Sequence, residues 1–181
     1  MQIQLGEITP ANVQQLRILN SSTLPVRYSD KFYKDIVSTY SQDYMKFAFC
    51  NGFVVGAVCA RLEDFPSDEL PNRKRLYIMT INVLSAYRRR GIGKDCTIFK
   101  VITLTFSLTI SFLPAKQLLS FILDKAKANE DISEIYLHVQ ISNDEAKNFY
   151  INSGFQQVDI IQDYYKNIDP PHCFLLSKIM K

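Results

Sequence analysis

Paired cysteines are missing from this sequence. Its four, Cys50, Cys59, Cys96 and Cys173, are scattered with no Cys-x-x-Cys spacing, which suits buried thiols in a reducing compartment better than a disulfide frame or a zinc site. No other metal-ligand cluster stands out, and no metal is expected. Met1 to Glu7 carry neither a basic segment nor an apolar core of the kind a secretory signal needs, so the expected compartment is the cytoplasm, with the nucleus also open. A membrane-length apolar run is lacking too: residues 101 to 113 are shorter than the ~20 that span a bilayer and are studded with Ser and Thr. Nor is charge of one sign in excess, with 21 Lys and Arg against 18 Asp and Glu and a net charge of +3. That excludes bulk nucleic-acid binding but leaves room for a local basic rim around a phosphate. What remains is the composition of an ordinary globular protein, 181 residues with 47% hydrophobic side chains, enough for one domain with a sizeable core.

Patterning predicts alternating strands and helices. Ile3 to Glu7 reads as a first strand, and Thr9-Pro10 as an N-cap followed by proline, opening a helix through Val13, Leu16 and Leu19. A proline-stiffened loop from Leu24 leads into a short helix near Asp30 to Val37. Tyr44 to Phe49 and Gly52 to Leu62 form a hairpin about Asn51-Gly52, and its second arm, apolar on both faces, should lie inside a sheet. Glu63 to Arg73 reads as a loop, Lys74 to Val83 and Ile132 to Val139 as strands, and Asn143 to Asn152 as a helix ended by Gly154. Gln156 to Lys166 and His172 to Met180 supply one or two more strands. The pattern is α/β with a mixed sheet.

Between the strand ending at Val83 and a later amphipathic helix lies Tyr87-Arg88-Arg89-Arg90-Gly91-Ile92-Gly93-Lys94. Two glycines spaced one apart allow a bulky ligand to approach the main chain, and a helix starting just after would point unpaired N–H groups at an anion. Guanidinium groups at the rim pair well with phosphate. The segment 95–116 interrupts this arrangement: it is β-branched, nearly uncharged and closed by Pro114. Without it, Lys94 would join Gln117 and the loop would run straight into an amphipathic helix. The segment therefore reads as an insertion within a single domain spanning 1–181, of the kind a retained intron leaves.

With the loop placed after an apolar strand, Arg88-Arg89-Arg90-Gly91-Ile92-Gly93 resembles the Arg/Gln-x-x-Gly-x-Gly/Ala signature of the GNAT superfamily of N-acetyltransferases. Residues 136 to 150, with Asn143, Ala146, Phe149 and Tyr150, are similar to that superfamily's next strand and helix. Leu24 to Tyr33, Arg75 to Thr80 and Tyr164-Tyr165-Lys166 resemble, more narrowly, the catalytic subunits of NatE-type N-terminal acetyltransferases. The resemblance implies a GNAT fold: one mixed, mostly antiparallel sheet splayed at its centre, with helices on both faces. It implies acetyl transfer from acetyl-CoA to the N-terminal amine of proteins beginning with Met, and association with the NatA complex at the ribosome, without a nucleic-acid or membrane partner. Tyr77 and His138 match the positions that deprotonate the amine through a water. Main-chain N–H near Ile81 or Val83 would hold the thioester oxygen, and Arg88, Arg89, Arg90, Gly91, Ile92, Gly93 and Lys94 the pyrophosphate. Asn143, Ala146 and Phe149 would lie along the pantetheine, with Tyr150 at the departing thiolate. Leu24, Pro25, Val26, Tyr28, Met79, Tyr164, Tyr165 and Ile168 would frame a narrow peptide mouth. Leu24 stands where phenylalanine is usual, which enlarges the methionine pocket without abolishing it.

Each of these residues also has a plainer reading. His138 fits a core histidine bonded to a carbonyl, Tyr77 and Tyr164-Tyr165 fit sheet packing, and Arg88 to Arg90 fit a solvated turn. His172 reads as a loop residue with no task. Two other functions stay open: a lysine Nε-acetyltransferase, and an inactive NatA-binding scaffold should the insertion disrupt the coenzyme loop.

Overall fold

The computed structural model describes residues 2–66, 72–88 and 114–180. The loop residues Arg89 to Lys94, and the insertion up to residue 113, lie outside them. Seven strands form one sheet in the order β1-β2-β3-β4-β5-β7-β6. They are β1 Ile3–Gly6, β2 Met45–Cys50, β3 Phe53–Asp64, β4 Lys74–Val83, β5 Ile132–Gln140, β6 Gln156–Ile161 and β7 Cys173–Ile179. Every pairing is antiparallel except β4 with β5. Helices α1 (Val13–Thr23) and α2 (Asp30–Ser38) cover one face; α3 (Pro114–Ala128) and α4 (Asp144–Ile151) cover the other.

Local chemistry explains most boundaries. Asn51 (φ 50°) and Gly52 (φ 82°) both take the left-handed region, as a two-residue turn between twisted strands requires. Ser29 caps α2 by accepting from Phe32 N at 3.4 Å. α1 stops at Thr23 because Pro25 follows: Leu24, the residue before it, is extended (φ −113°, ψ 141°). Its start differs from the expectation. Thr9 is not the cap. Its carbonyl accepts from Asn12 N and Val13 N in a tight turn, Asn12 Oδ1 accepts from Thr9 N at 2.7 Å, and the helix begins three residues beyond Pro10. Among the described residues α3 runs from Pro114, so Pro114, Ala115 and Lys116 belong to the helix rather than to the stretch before it. β3 runs on to Asp64, which makes Glu63 a strand residue and not a loop residue.

The two faces have separate cores. Leu16, Leu19 and Ile36 pack with Met45, Phe47, Ala57 and Cys59 on the α1/α2 side. Leu118, Leu119 and Ile122 of α3 pack with Val55, Val58, Leu76 and Leu137 on the other. Gly56 lets β3, β4 and α3 approach closely, because a Cβ there would lie 2.8 Å from Asn82 O and 3.3 Å from Leu118 Cδ1. Cys50, Cys59 and Cys173 are free and buried. Among the described residues no helix is long and apolar enough to cross a membrane.

Candidate active site

The sheet opens along β4. Opposite β3, Thr80 pairs with Cys59 and Ile78 with Ala60, which leaves Met79 as one extra residue on β4. Such a bulge bends a strand and increases its twist. It also resets which residues share a face: Leu76 and Ile78 before it, and Ile81 and Val83 after it, all pack on the α3 side, while Asn82 bonds to Asn20 of α1 at 2.6 Å. β4 and β5 are in register only from Lys74–Ile132 to Tyr77–Tyr136. The bulge follows at once, and the strands part.

Leu84 N donates to Val55 O of β3. Groups in an antiparallel ladder alternate, so Asn82 and Thr80 also turn their main-chain N–H toward β3, and Ile81 and Val83 turn theirs to the opened side. The two positions expected to donate to a thioester oxygen thus present their amides to the fissure.

Two adjoining cavities fill it. The larger, of about 290 Å³, is lined by Ile81 and Val83, by Ala146, Phe149 and Tyr150 of α4, and by Pro114, Ala115 and Lys116 of α3. The smaller, of about 130 Å³, is lined by Leu24, Pro25, Val26, Tyr28, Met79, Tyr165 and His138. Leu24, Pro25, Ile81, Asn143, Ala146 and Tyr150 border both, so one groove runs from the start of α3 to His138. Helix α4 opens on Asn143, whose Oδ1 accepts from Ala146 N at 3.1 Å. The positive end of α4 therefore meets this space.

At the seam where β4 and β5 separate, Tyr77 and His138 come together. Tyr77 Oη lies 3.3 Å from His138 Nδ1, and Tyr164 Oη lies 3.3 Å from each. Tyr164 stacks on the imidazole with centroids 4.4 Å apart. Burial pushes the Tyr77 hydroxyl far above its usual range, helped by its bond to Tyr164, so it remains a neutral phenol. Burial lowers His138 from 6.5, against the opposing pull of Glu63, and Arg75 lowers it further. A neutral imidazole beside a fixed phenol can accept a proton near pH 7, whereas the phenol serves as its hydrogen-bond partner.

Behind this pair stands a cluster that sequence reasoning missed. Glu63 Oε1 accepts from Arg61 Nε at 2.9 Å and pairs with its Nη2 at 2.7 Å. Oε2 accepts from Tyr136 Oη and lies 3.3 Å from Arg75 Nη2. No local signal marks these residues, because three strands supply them and only the register brings them together.

The Acetyltransferase (GNAT) family description matches residues 13–96. The chain is 37% identical to N-alpha-acetyltransferase 50 of Danio rerio over 99% of its own length and 89% of that protein's. It is 38% identical to the probable N-acetyltransferase san of Drosophila melanogaster, over 99% and 82%. The chain belongs to the GNAT acetyltransferases. A solved GNAT structure, Arabidopsis thaliana Naa50 in complex with the bisubstrate analogue CoA-Ac-MVNAL, superposes with a TM-score of 0.76 at 36% identity, covering 98% of this chain and 99% of that one.

Most of the GNAT site residues expected from the sequence border the groove. Ile81, Val83, Asn143, Ala146, Phe149 and Tyr150 line its larger part, and Leu24, Pro25, Val26, Tyr28, Met79 and Tyr165 its smaller part. Burial keeps Tyr150 a neutral donor, as a partner for a thiolate must be. Tyr28 is pushed up to about 12, first by burial and then by Tyr164, so the mouth stays uncharged. Ile168 is half-buried and lines neither cavity. Arg88 lines the larger cavity, but its Nε donates to Val83 O at 2.6 Å and its Nη2 to Thr23 O at 3.4 Å, so it braces the end of α1 against β4. His172, read as idle, accepts from Asp163 N at 3.1 Å and anchors the loop that carries Tyr164. Among the described residues no group of three His, Cys, Asp or Glu could hold a metal.

Proposed function

We infer that this GNAT chain transfers acetyl from acetyl-CoA to the α-amine at the N-terminus of proteins, with a preference for an initiator methionine. The observation that carries the reading is the meeting of Tyr77 and His138, 3.3 Å apart, where the groove between β4 and β5 ends. The groove suits a coenzyme A arm. It has an apolar bed from α4, main-chain amides of Ile81 and Val83 on one wall, and the N-terminus of α4 at its edge. Acetyl-CoA supplies an activated acyl thioester.

The protein's own residues do the rest. Ile81 and Val83 N–H donate to the carbonyl oxygen as charge develops there. His138 accepts a proton of the amine through a water held by Tyr77, and since an α-amine has a pKa of ~8, a modest base suffices. Tyr150 donates to the departing sulfur. Leu24, Pro25, Val26, Tyr28 and Met79 enclose an unbranched apolar side chain beside the amine.

That narrow, tyrosine-lined mouth favours a chain terminus over an internal lysine. The test is acetyl transfer from labelled acetyl-CoA to a Met-Leu peptide with a free N-terminus, and to the same peptide blocked at its N-terminus but carrying a lysine. Label on the first alone is expected; label on the lysine of the second overturns the reading in favour of Nε transfer. Association with the NatA complex at the ribosome, and with it a cytoplasmic location, belongs to the same proposal. Its support is the likeness of Leu24 to Tyr33 and Tyr164 to Lys166 to NatE-type enzymes. Co-sedimentation with ribosomes from a cytoplasmic extract, lost when NatA is depleted, is the outcome expected.

A further inference from the structure

We propose that Glu63 is a positioning residue for the Tyr77–His138 pair. The proposal rests on the proton-transfer role given to that pair above and extends it to a carboxylate that does not touch substrate. Both oxygens of Glu63 are engaged, one by Arg61 and the other by Tyr136 and Arg75. Each of the first two partners also rests on Tyr77: the Tyr136 ring stacks on it with centroids 4.8 Å apart and planes 21° apart, and the Arg61 guanidinium carbon lies 5.2 Å from its centroid. Arg75 in turn lies 4.4 Å from the Tyr136 centroid. One carboxylate therefore fixes both groups that hold the Tyr77 ring, and the ring fixes where its hydroxyl meets His138.

The charge has a second effect. Around His138 stand the phenols Tyr77, Tyr136 and Tyr164, and behind them the charged Glu63, Arg75 and Arg61. Burial would have Glu63 hold its proton, but the bonds from Tyr136 and Arg61 and the charges of Arg61 and Arg75 keep its carboxyl below the usual range. It is ionised at neutral pH and is the single anion of the cluster. Its field strengthens the imidazole's hold on a proton, opposing burial and Arg75. An ion network this accessible, with side chains 21% to 35% exposed, contributes little to stability, so a purely structural role leaves its placement behind the reacting pair unexplained.

The experiment is Glu63→Gln in the full chain. It measures turnover and KM on the free Met-Leu peptide, and the imidazole titration of His138 by NMR. A His172→Gln variant assigns the signals, since the chain has two histidines. Expected are a kcat lower by about tenfold, as small misplacements of reacting groups produce, and a peptide KM within about twofold. The His138 titration should move to lower pH, and Glu63→Asp, which keeps the charge, should stay closer to wild type. An unchanged kcat or an unmoved titration overturns the proposal. Should Glu63→Gln fail to fold, Tyr136→Phe removes the one hydrogen bond and is expected to lower kcat alone; a wild-type kcat there overturns the proposal equally. His138→Ala in the same assay separates the two readings. A wild-type rate for it sinks the proton-transfer role, whereas a slow His138→Ala beside a fast Glu63→Gln sinks only the role of Glu63.

Discussion

The two halves of β4 differ in what they do with their edges. From Lys74 to Tyr77 the strand is paired on both sides, and the side chains near its end, Arg75 and Tyr77, join Arg61, Glu63 and Tyr136 in a cross-linked polar cluster. From Ile78 to Val83 it is paired on one side only, its other edge meets no strand, and the walls beyond are apolar side chains of α4 and of the segment after α1. The closed half supplies rigidity and the open half supplies room. Tyr77 and His138 sit on the border, held from one side and facing a cavity on the other. Preorganisation of this kind is what transition-state stabilisation demands.

The comparison can be broken most sharply at the border. His138→Ala should lower kcat by roughly 10²- to 10⁴-fold, the range for a general base, while acetyl-CoA affinity by isothermal titration stays near wild type. Loss of coenzyme binding instead would mean that His138 belongs to the open half. Next comes the bed of the open half: Leu118 is fully buried in the core beneath β3 and β4, and Leu118→Ala should cost about 2–5 kcal/mol of unfolding free energy in urea.

A smaller effect sharpens the electrostatic side. Burial holds His138 below its ordinary 6.5, so the base is lost only as pH falls through that lowered value. Followed by NMR in the free enzyme, the His138 imidazole should therefore titrate below pH 6.5, and a midpoint above it would contradict the assignment. The smallest change is at the mouth. Leu24→Phe narrows a pocket that Leu24 lines and should alter KM for Met-initiated peptides by only about two- to fivefold, with kcat kept.

Much of this border could be read from the chain. Apolar runs gave β3, β4 and β5, Asn51-Gly52 gave the hairpin, and the residues matching NatE-type enzymes pointed to Tyr77 and His138 before any geometry was known. Other parts had no sequence signature. Nothing in Ile78-Met79-Thr80 announces a bulge, since no glycine or proline marks it and the residues would suit a regular strand. Glu63 reads as the start of a polar loop because, Arg61 aside, its partners lie 12 and 73 positions later. The start of α1 was misplaced because Thr-Pro is a good local cap signal, and a turn closed by Asn12 overrode it. For the bulge and for Glu63 contacts distant along the chain decided the outcome, whereas at α1 one local turn displaced another.

The extra residue in β4 has one more consequence. Omit Met79 and the register with β3 runs unbroken from Gly56–Val83 to Asp64–Lys74, with every remaining β4 side chain still on its own face. Met79 packs against the α1/α2 core and its loss would be felt there, but the continuous register would let β4 run on beside β5 and close the fissure. One inserted residue thus gives up some regularity of the sheet for the opening that the groove occupies.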